Sequence, residues 1–419
     1  EPSCSLRGSL TYSDMATLIS PSAPMANASA SSAAALLGVY KRAPMELVRG
    51  EGVRLFDSEG KAYIDFTAGI GVNALGYGDE GLHEAMRAAA GGLLHVSNLF
   101  RSAPGERLAA RLVELSFADQ VFFCNSGAEA NEGAFKFARR WARALPDGNS
   151  AKHEILALRG SFHGRLLGTL AATDRANYRA PFRPLAGGIR IIERDIEDLA
   201  IAMDPETVAA VIVEPVQGES GVRVIDAGFL RDVRALADER KAALIFDEIQ
   251  CGLSRTGYLF AYQASGIVPD ILTLAKPLAG GLPMGAILVT DAIARTMQPG
   301  DHGSTFGGGP FVASVALHVV ERLADPKLGA HVRALGEWLT RELQAMKDRS
   351  GAIRAVRGRG LMWGIDVGEP AGDVIARARA AGLLLVSAGE YTVRLLPPLI
   401  ISRDDLAAGL AILEQALSA

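Results

Sequence analysis

Cysteine is scarce in this chain of 419 residues, where only Cys4, Cys124 and Cys251 occur. Such a sparse, odd-numbered and irregularly spaced set predicts neither a disulfide framework nor a zinc site, and it favours a reducing compartment. An excess of charge of one sign is also lacking, because 43 Lys and Arg residues face 47 Asp and Glu residues. The near balance gives no electrostatic reason to expect a nucleic acid or an anionic membrane as a partner.

A hydrophobic run of the ~20 residues needed to span a membrane is missing as well. The uncharged stretch from Met15 to Tyr40 is broken by Pro21, Pro24 and Asn27. We therefore predict a flexible tail at residues 1–35. We expect a cytoplasmic protein, although a Ser- and Ala-rich leader leaves organellar targeting open.

The common motifs for metal and nucleotide chemistry are absent. None of the seven histidines has a metal-ligand spacing, and no G-x-x-x-x-G-K-[ST] loop is present. The stretch from Gly76 to Gly81 matches the dinucleotide motif G-x-G-x-x-G, but Arg101 stands where an acidic residue should follow. We predict a glycine-rich turn at that position and no bound metal ion.

Short apolar runs alternate with helix-like segments along most of the chain. The runs are too continuous for half-exposed strands, so they predict an α/β fold with a mostly parallel sheet that is covered on both faces. Beyond Phe311, long helical regions and short strand-like pieces at 361–367, 383–386 and 393–396 predict a smaller α+β domain. The predicted strands of the large sheet cover residues 121–123, 155–158, 211–213, 243–246, 271–274 and 286–289.

Three motifs follow predicted strands, and each has an ordinary structural interpretation when it is taken alone. Ser126-Gly127-Ala128 opens a helix and could be an anion seat or only a helix cap. Asp247 and Lys276 end two other strands, and they could be a solvated carboxylate and a surface lysine. Together they match the needs of pyridoxal phosphate: an amine for covalent attachment, a carboxylate for the pyridinium nitrogen and a phosphate seat.

With these motifs in place, the chain resembles the class III, or ω-amino acid, aminotransferases, and within them the acetylornithine aminotransferases. The resemblance extends from about Ala35 to the C-terminus. The matching blocks are AGIGVNALG from Ala68, NSGAEANEGAFKFAR from Asn125, SFHGR from Ser161, VEPVQGE from Val213, LIFDEIQCGLSRTG from Leu244, DILTLAKPLAGGLPMGA from Asp270, HGSTFGG from His302 and RLLPPLI from Arg394. Leu166 and Ser220 depart from the family pattern near the expected substrate pocket.

The resemblance implies an aspartate-aminotransferase-like fold and a homodimer with active sites at the subunit interface. The implied domains are an N-terminal segment of the small domain at 36–75, a large cofactor-binding domain at 76–312 and the remaining small domain at 313–419. The implied catalytic residues are Lys276 and Asp247. The implied cofactor contacts are Ser126, Gly127, Ala128, Phe162 on the ring face, Gln250 at the ring hydroxyl, and Thr305 from the partner subunit. The implied substrate contacts are Arg165, Ser304, Glu219 and Arg394.

The implied reaction transfers the δ-amino group of N2-acetyl-L-ornithine to 2-oxoglutarate, a step of arginine biosynthesis. Other ω-aminotransferase substrates stay open, namely succinylornithine, acetyl-lysine, ornithine and 4-aminobutyrate. A same-fold aminomutase or decarboxylase and a catalytically silent cofactor-binding protein are further alternatives. Retention of both Lys276 and Asp247 argues against the silent protein.

Overall fold

The computed structural model describes residues 35–145 and 152–418. The predicted flexible tail therefore lies outside the described residues, apart from Ala35. The chain divides into two compact units, Glu1–Glu46 and Leu47–Ala419. The described part of the first unit contains only turns, bends and irregular backbone, so all helices and strands given below belong to the second.

The strands are numbered in chain order. They are β1 (Leu47–Glu51), β2 (Arg54–Asp57), β3 (Ala62–Asp65), β4 (Gln120–Cys124), β5 (Glu154–Leu158), β6 (Ile189–Ile192), β7 (Val208–Val213), β8 (Val216–Gln217), β9 (Arg223–Val224), β10 (Ala243–Asp247), β11 (Ile271–Leu274), β12 (Gly285–Val289), β13 (Ile353–Arg359), β14 (Met362–Val367), β15 (Leu383–Leu384), β16 (Val386–Ser387) and β17 (Thr392–Leu395).

The helices range from single turns to a helix of 24 residues. They are α1 (Ala68–Gly71), α2 (Glu80–Ala90), α3 (Ala103–Leu115), α4 (Gly127–Ala144), α5 (Leu167–Ala171), α6 (Ala176–Arg179), α7 (Ile196–Ala202), α8 (Ala227–Glu239), α9 (Tyr262–Ser265), α10 (Asp291–Ala294), α11 (Pro310–Ala324), α12 (Pro326–Arg349), α13 (Ala371–Ala380) and α14 (Arg403–Ser418). Short 3₁₀ turns lie at Ala180–Phe182 and Lys276–Ala279.

A seven-stranded sheet forms the centre of the second unit, in the order β4-β12-β11-β10-β7-β5-β6. Its strands run parallel except β12, which pairs antiparallel with β4 and β11. The sheet contains all six strands that the apolar runs predicted, and β6 is added at one edge. The runs are continuous because helices cover both faces: α4 packs against β11 and β12, and α8 packs against β10.

Two smaller four-stranded sheets, with the orders β1-β2-β3-β15 and β13-β14-β17-β16, and a two-stranded sheet of β8 and β9 complete the second unit. The sequence suggested one strand-like piece at 383–386, but the chain splits it between the two four-stranded sheets. β15 pairs in parallel with β3, whereas β16 pairs antiparallel with β17. A two-residue strand carries too little periodicity to reveal such a change of partner.

The glycine-rich stretch at Gly76 to Gly81 forms a turn and the start of α2, as predicted. Gly76 and Gly78 have positive φ values of 71° and 72°. A Cβ atom on Gly76 would lie 2.3 Å from the carbonyl oxygen of Gly52. Asp79 caps α2, because its side chain accepts a hydrogen bond from the Leu82 N–H at 2.8 Å.

None of the described helices combines the length and apolar character needed to cross a membrane. The direction of the strands in the large sheet brings the three sequence motifs together. The parallel strands β4, β10 and β11 all point their carboxyl ends to one edge of that sheet. The three motifs of the sequence follow these ends, at Ser126, Asp247 and Lys276.

Candidate active site

A cavity of about 430 Å³ opens at the carboxyl edge of the large sheet. All predicted site residues line it except Arg394, Ser304 and Thr305. Such a position is where open α/β sheets bind ligands. The predicted residues in the wall are Ser126, Gly127, Ala128, Phe162, Arg165, Glu219, Asp247, Gln250 and Lys276.

Lys276 lies at the start of the 3₁₀ turn that follows β11. Its backbone has a φ of 29°, which is unusual for a residue with a side chain. Burial lowers the pKa of Lys276, while the carboxylates of Asp247 and Glu219 act in the opposite direction. No hydrogen bond joins its amine to another described residue. The side chain therefore presents an amine whose neutral form is more accessible than that of a surface lysine.

Asp247 is the last residue of β10 and is 4% exposed. Its Oδ2 atom accepts a hydrogen bond from Asn131 Nδ2 at 2.7 Å and lies 2.8 Å from His163 Nδ1. Asn131 is itself fixed, because its Oδ1 atom accepts a hydrogen bond from Thr273 Oγ1 at 2.8 Å. The carboxylate is thus held in one orientation by side chains from α4 and from the loop after β5.

The N-terminus of α4 provides an anion seat in the same cavity. Ser126 caps the helix, since its Oγ atom accepts a hydrogen bond from the Glu129 N–H at 3.2 Å. The N–H groups of Gly127 and Ala128 have no acceptor among the described residues. A Cβ atom on Gly127 would lie 2.8 Å from Ile249 Cδ1, so a larger residue at the first position of the helix would have to displace the Ile249 side chain. Free N–H groups and the helix dipole both favour a phosphate there.

Glu214 is a site residue that the motifs did not single out. It follows β7, is 7% exposed and accepts a hydrogen bond from the Phe162 N–H at 2.9 Å. Burial raises the pKa of Glu214 to about 7, and the neighbouring Asp247 carboxylate acts in the same direction. The block VEPVQGE contains Glu214, but only the folded chain places it beside His163, Asp247 and Lys276.

Glu219 and Arg394 form an ion pair at the wall of the cavity, with Arg394 Nη1 at 2.6 Å from Glu219 Oε1. Arg394 comes from β17 and is 2% exposed. The same nitrogen donates to the Gly218 carbonyl at 3.0 Å and to Gln250 Oε1 at 3.1 Å. Burial by itself would raise the pKa of Glu219, but the charge and the hydrogen bond of Arg394 outweigh it and hold the pKa below its ordinary value.

The remaining predicted residues lie at the mouth of the cavity or outside it. The guanidinium of Arg165 is exposed and stacks over the Tyr178 ring at 4.1 Å. Ser304 Oγ accepts hydrogen bonds from Asn125 Nδ2 at 3.2 Å and from the Gly307 N–H at 3.0 Å, so it adjoins the cavity through Asn125. Thr305 is exposed and does not line the cavity of its own chain.

The donor set fits pyridoxal phosphate. It combines an unpartnered amine, a fixed carboxylate and two free N–H groups at the start of a helix of 18 residues. The asparagine and histidine that hold Asp247 could have been suspected from the sequence, because Asn131 and His163 lie in the matched blocks. Their contacts depend on the tertiary fold, so the sequence alone gave them no role.

Comparisons with known proteins identify the family to which this chain belongs. A family model described as Aminotransferase class-III matches residues 39–417. The chain is 45% identical over 387 residues to the mitochondrial acetylornithine aminotransferase of Alnus glutinosa, covering 92% of this chain and 86% of that protein.

Solved structures give the same result. An N-acetylornithine aminotransferase from Stenotrophomonas maltophilia superimposes with a TM-score of 0.79 at 39% identity, covering 90% of this chain and 97% of that one. The ornithine aminotransferase of Toxoplasma gondii, which was solved with partial occupancy of PLP at its active site, gives a TM-score of 0.88 at 30% identity and covers 91% of each chain. The chain therefore belongs to the class III aminotransferases and is a transaminase that depends on pyridoxal phosphate.

Proposed function

We propose that this enzyme transfers the δ-amino group of N2-acetyl-L-ornithine to 2-oxoglutarate, giving N-acetyl-L-glutamate 5-semialdehyde and L-glutamate in arginine biosynthesis. The observation that carries the proposal is the cavity that brings together Lys276, Asp247 and the start of α4. The identity of 45% to an acetylornithine aminotransferase supports the choice of amino donor. The same relative is described as mitochondrial, so an organelle remains an alternative to our proposed location in the cytoplasm.

The cavity offers a residue for each part of the cofactor. Lys276 would provide the amine for covalent attachment, Asp247 would pair with the ring nitrogen, and Gly127 and Ala128 would hold the phosphate with Ser126. Phe162 would pack on the ring face and Gln250 would contact the ring hydroxyl. When bound, pyridoxal phosphate supplies an electron sink and a carbon that exchanges amino groups.

Lys276 also moves the proton in this proposal. Its Nζ atom can accept a proton only when the amine is neutral, and burial lowers its pKa toward that state. Asp247 would pair its carboxylate with the protonated ring nitrogen. The hydrogen bond from Asn131 Nδ2 fixes the orientation of that carboxylate.

The ion pair of Glu219 and Arg394 explains how one site accepts two different substrates. Acetylornithine brings an uncharged chain to the position where glutamate brings an α-carboxylate. With the first substrate, Glu219 neutralises Arg394 and avoids an unpaired buried charge. With glutamate or 2-oxoglutarate, Glu219 moves aside and Arg394 binds the α-carboxylate as a bidentate partner. Arg165, with Ser304 nearby, binds the α-carboxylate of acetylornithine at the mouth of the cavity.

We propose that the enzyme is a homodimer. The apolar patch supports it, and we define this patch as Leu93, Leu94, Leu99, Phe100 and Phe306. These five side chains are between 63% and 89% exposed. The segment 93–100 lies against the loop that contains Thr305, because Asn98 Nδ2 donates to the carbonyl oxygens of Ser304 and Gly307 at 3.0 Å. Exposed apolar patches on folded proteins commonly mark interfaces.

A substrate panel tests the proposed reaction. The purified holoenzyme is supplied with 2-oxoglutarate and each candidate amino donor, and glutamate formation is followed by a coupled assay. We expect the highest kcat/KM with acetylornithine. Preference for ornithine, succinylornithine, acetyl-lysine or 4-aminobutyrate by tenfold or more would assign another substrate.

Lys276→Ala tests the site itself. The variant should lose the visible absorbance of the covalently held cofactor and nearly all turnover, because it lacks the amine that attaches the cofactor and moves the proton. Lys276→Arg is the matched control for side-chain bulk, and it should be equally inactive because a guanidinium stays charged. Substantial turnover by either variant would contradict the role of Lys276.

A further inference from the structure

A loop at residues 217–221 links the active site to a second, positively charged cavity. Every residue of this loop accepts a hydrogen bond from an arginine. On the active-site side, Arg394 donates to the Gly218 carbonyl at 3.0 Å and to Glu219 Oε1 at 2.6 Å, and Arg175 donates to the Glu219 carbonyl. Arg194 donates to Gln217 Oε1 at 3.3 Å. Arg223 and Arg357 donate to the carbonyls of Ser220 and Gly221, each at 2.9 Å.

The second cavity, of about 340 Å³, lies on the side of the loop where three of these arginines meet. Its lining consists of Arg194, Arg223, Val224, Arg357 and Gly358. It shares no lining residue with the active-site cavity. It is therefore a cavity separate from the active site.

The three positive charges in this cavity face a single carboxylate, Asp366, which leaves an excess of two positive charges among the described residues. Arg357 makes a bidentate ion pair with Asp366, at 2.7 and 2.6 Å. Within residues 35–145 and 152–418, no carboxylate forms an ion pair with Arg194 or Arg223. Burial lowers the pKa of Arg194, and the charge of Arg223 adds to that effect. Asp366 is the carboxylate at this cluster; burial by itself would raise its pKa, but the charges of Arg357 and Arg223 both lower it. Arg194 and Arg223 are exposed, so an anion can reach them from solvent.

Most N–H donors of Arg194 and Arg223 make no hydrogen bond to another residue that the structure describes. A guanidinium carries five N–H donors, and each of these side chains spends one on the loop. The three arginines come from different elements: the connector after β6, strand β9 and strand β13. Arginine binds carboxylate and phosphate alike, but three arginines from different elements can contact more oxygens on a tetrahedral oxyanion than the two that one carboxylate offers.

We propose that Arg194, Arg223 and Arg357 form a binding site for a small dianion of the phosphate class, separate from the cofactor phosphate seat. The excess of two positive charges matches the charge of such an anion. The site lies behind the loop that carries Glu219, so its occupant contacts the same arginines that hold this loop. The alternative is that these arginines only fasten the loop and bind nothing.

Calorimetric titration of the holoenzyme with inorganic phosphate at low ionic strength tests the proposal. Free cofactor is removed beforehand, so that its phosphate does not compete. We expect saturable binding of one phosphate per chain. Arg194→Gln and Arg223→Gln should each weaken it by roughly tenfold, because each removes charge-assisted hydrogen bonds. Arg341→Gln, at an exposed position of α12, is the matched control and should bind as the parent does.

Several results would overturn the proposal. Absence of saturable binding would mean that the arginines only fasten the loop. Binding that both variants retain at full strength would place the anion elsewhere, including at the substrate arginines of the active site. Succinate that binds more tightly than phosphate, and loses affinity in Arg194→Gln, would assign the site to dicarboxylates instead. Binding is measured without turnover, so these outcomes are independent of the proposed reaction.

Discussion

Lys276 combines two unfavourable features, and both have a use at this position. Its φ of 29° costs on the order of 1–3 kcal/mol in backbone strain, and its buried amine loses hydration. The strain arises where β11 turns directly into a 3₁₀ turn. That turn directs the amine toward Asp247 and Glu214 in the cavity, so the strain is tied to the placement of the group that we propose to transfer the proton.

Glu214 predicts a pH dependence of stability. Its pKa rises from 4.5 in the unfolded chain to about 7 in the folded one. Between these values only the folded state keeps the proton, so this group stabilises the fold at low pH. The stabilisation decreases as the pH rises toward 7, on the order of 3 kcal/mol in total. His163, Asp247 and Lys276 are the charged or titratable groups around it.

Glu214→Gln should remove this slope, since a neutral amide keeps the acceptor for the Phe162 N–H but cannot ionise. The free energy of unfolding, measured by urea denaturation between pH 5 and pH 8, should therefore rise relative to the parent as the pH increases. Glu337→Gln, at an exposed position of α12, is the control. A difference between variant and parent that does not change with pH would show that Glu214 is not protonated in the fold.

Glu219→Ala tests the gate formed with Arg394. Removing the carboxylate leaves Arg394 charged and 2% exposed, without its ion-pair partner. We expect kcat/KM for acetylornithine to fall by roughly tenfold or more, because an unpaired buried charge costs several kcal/mol. The glutamate half-reaction should be spared or improved, since its α-carboxylate supplies the missing charge. Stopped-flow absorbance of each half-reaction measures the ratio.

Glu219→Gln separates charge from shape in the same experiment. It keeps the length of the side chain and one acceptor for Arg394, but it lacks the negative charge. The gate predicts the same direction of change as in Glu219→Ala. An unchanged ratio of the two half-reactions in both variants would mean that Glu219 only closes the loop at 217–221.

Residues that follow strands could be predicted from the sequence, whereas their supporting contacts could not. Asp247 and Lys276 stand out because each comes directly after an apolar run, where a charge is unusual. Asn131 lies inside α4 and gains its role only when α4 packs against β11, which brings it to Thr273 and Asp247. Glu214 likewise depends on the register of β5 beside β7.

At the scale of elements, the anion seat at the start of α4 is formed by consecutive residues of one segment, Ser126, Gly127 and Ala128. Ser126→Ala should cost about 1 kcal/mol in stability, because the Glu129 N–H loses its cap. It should also weaken cofactor binding. Gly127→Ala should weaken binding further, since the added methyl group meets Ile249 and displaces the first turn.

The dissociation constant of pyridoxal phosphate, measured by absorbance titration of the apoenzyme, checks this prediction. We expect a loss of roughly tenfold for Ser126→Ala, typical of one charge-assisted hydrogen bond. Ser102→Ala is the matched control, because Ser102 precedes α3 without any side-chain capping bond. Equal cofactor affinity in all three variants and the parent would place the phosphate away from α4.

Fully buried strands could be predicted, whereas partly exposed strands and two-residue strands could not. The strands of the large sheet are buried on both faces, which gives uninterrupted apolar runs that are visible in the sequence. β1, β2 and β3 are partly exposed and β13 carries three arginines, so none of them shows a continuous run. The two-residue strands β15 and β16 are strands only because they pair with β3 and β17, and the sequence does not reveal those partners.

At the scale of the whole molecule, the domain boundaries at 75 and 312 remain predictions. One reason for their weak sequence signal is that β15, near the end of the chain, pairs with β3 near its beginning. A domain assembled from both ends of a chain has no single boundary in composition. Residues from such distant parts also meet in the active site, where Arg394 of β17 contacts Glu219.

The proposed dimer can be tested by complementation between two inactive or weakened variants, which a monomeric enzyme would not show. Thr305 is exposed on its own chain, beside the apolar patch, and we propose that it reaches the cofactor phosphate of the partner subunit. Lys276 would then act with the partner's threonine. A Lys276→Ala dimer lacks the amine in both sites, and a Thr305→Ala dimer lacks one phosphate contact in both sites.

Mixing the two variants should restore complete active sites. In a hybrid dimer, the site that holds intact Lys276 receives intact Thr305 from the other chain, whereas the opposite site lacks both. After refolding an equimolar mixture, we expect a population of sites with the cofactor affinity of the parent, detected by absorbance titration. Leu99→Glu in both chains should prevent this recovery, because it places a charge in the apolar patch. Ile201→Glu, at a similarly exposed residue of α7, should allow it. Failure of the hybrid to recover parental affinity, while both variants still form dimers by sedimentation, would place Thr305 outside the partner's site.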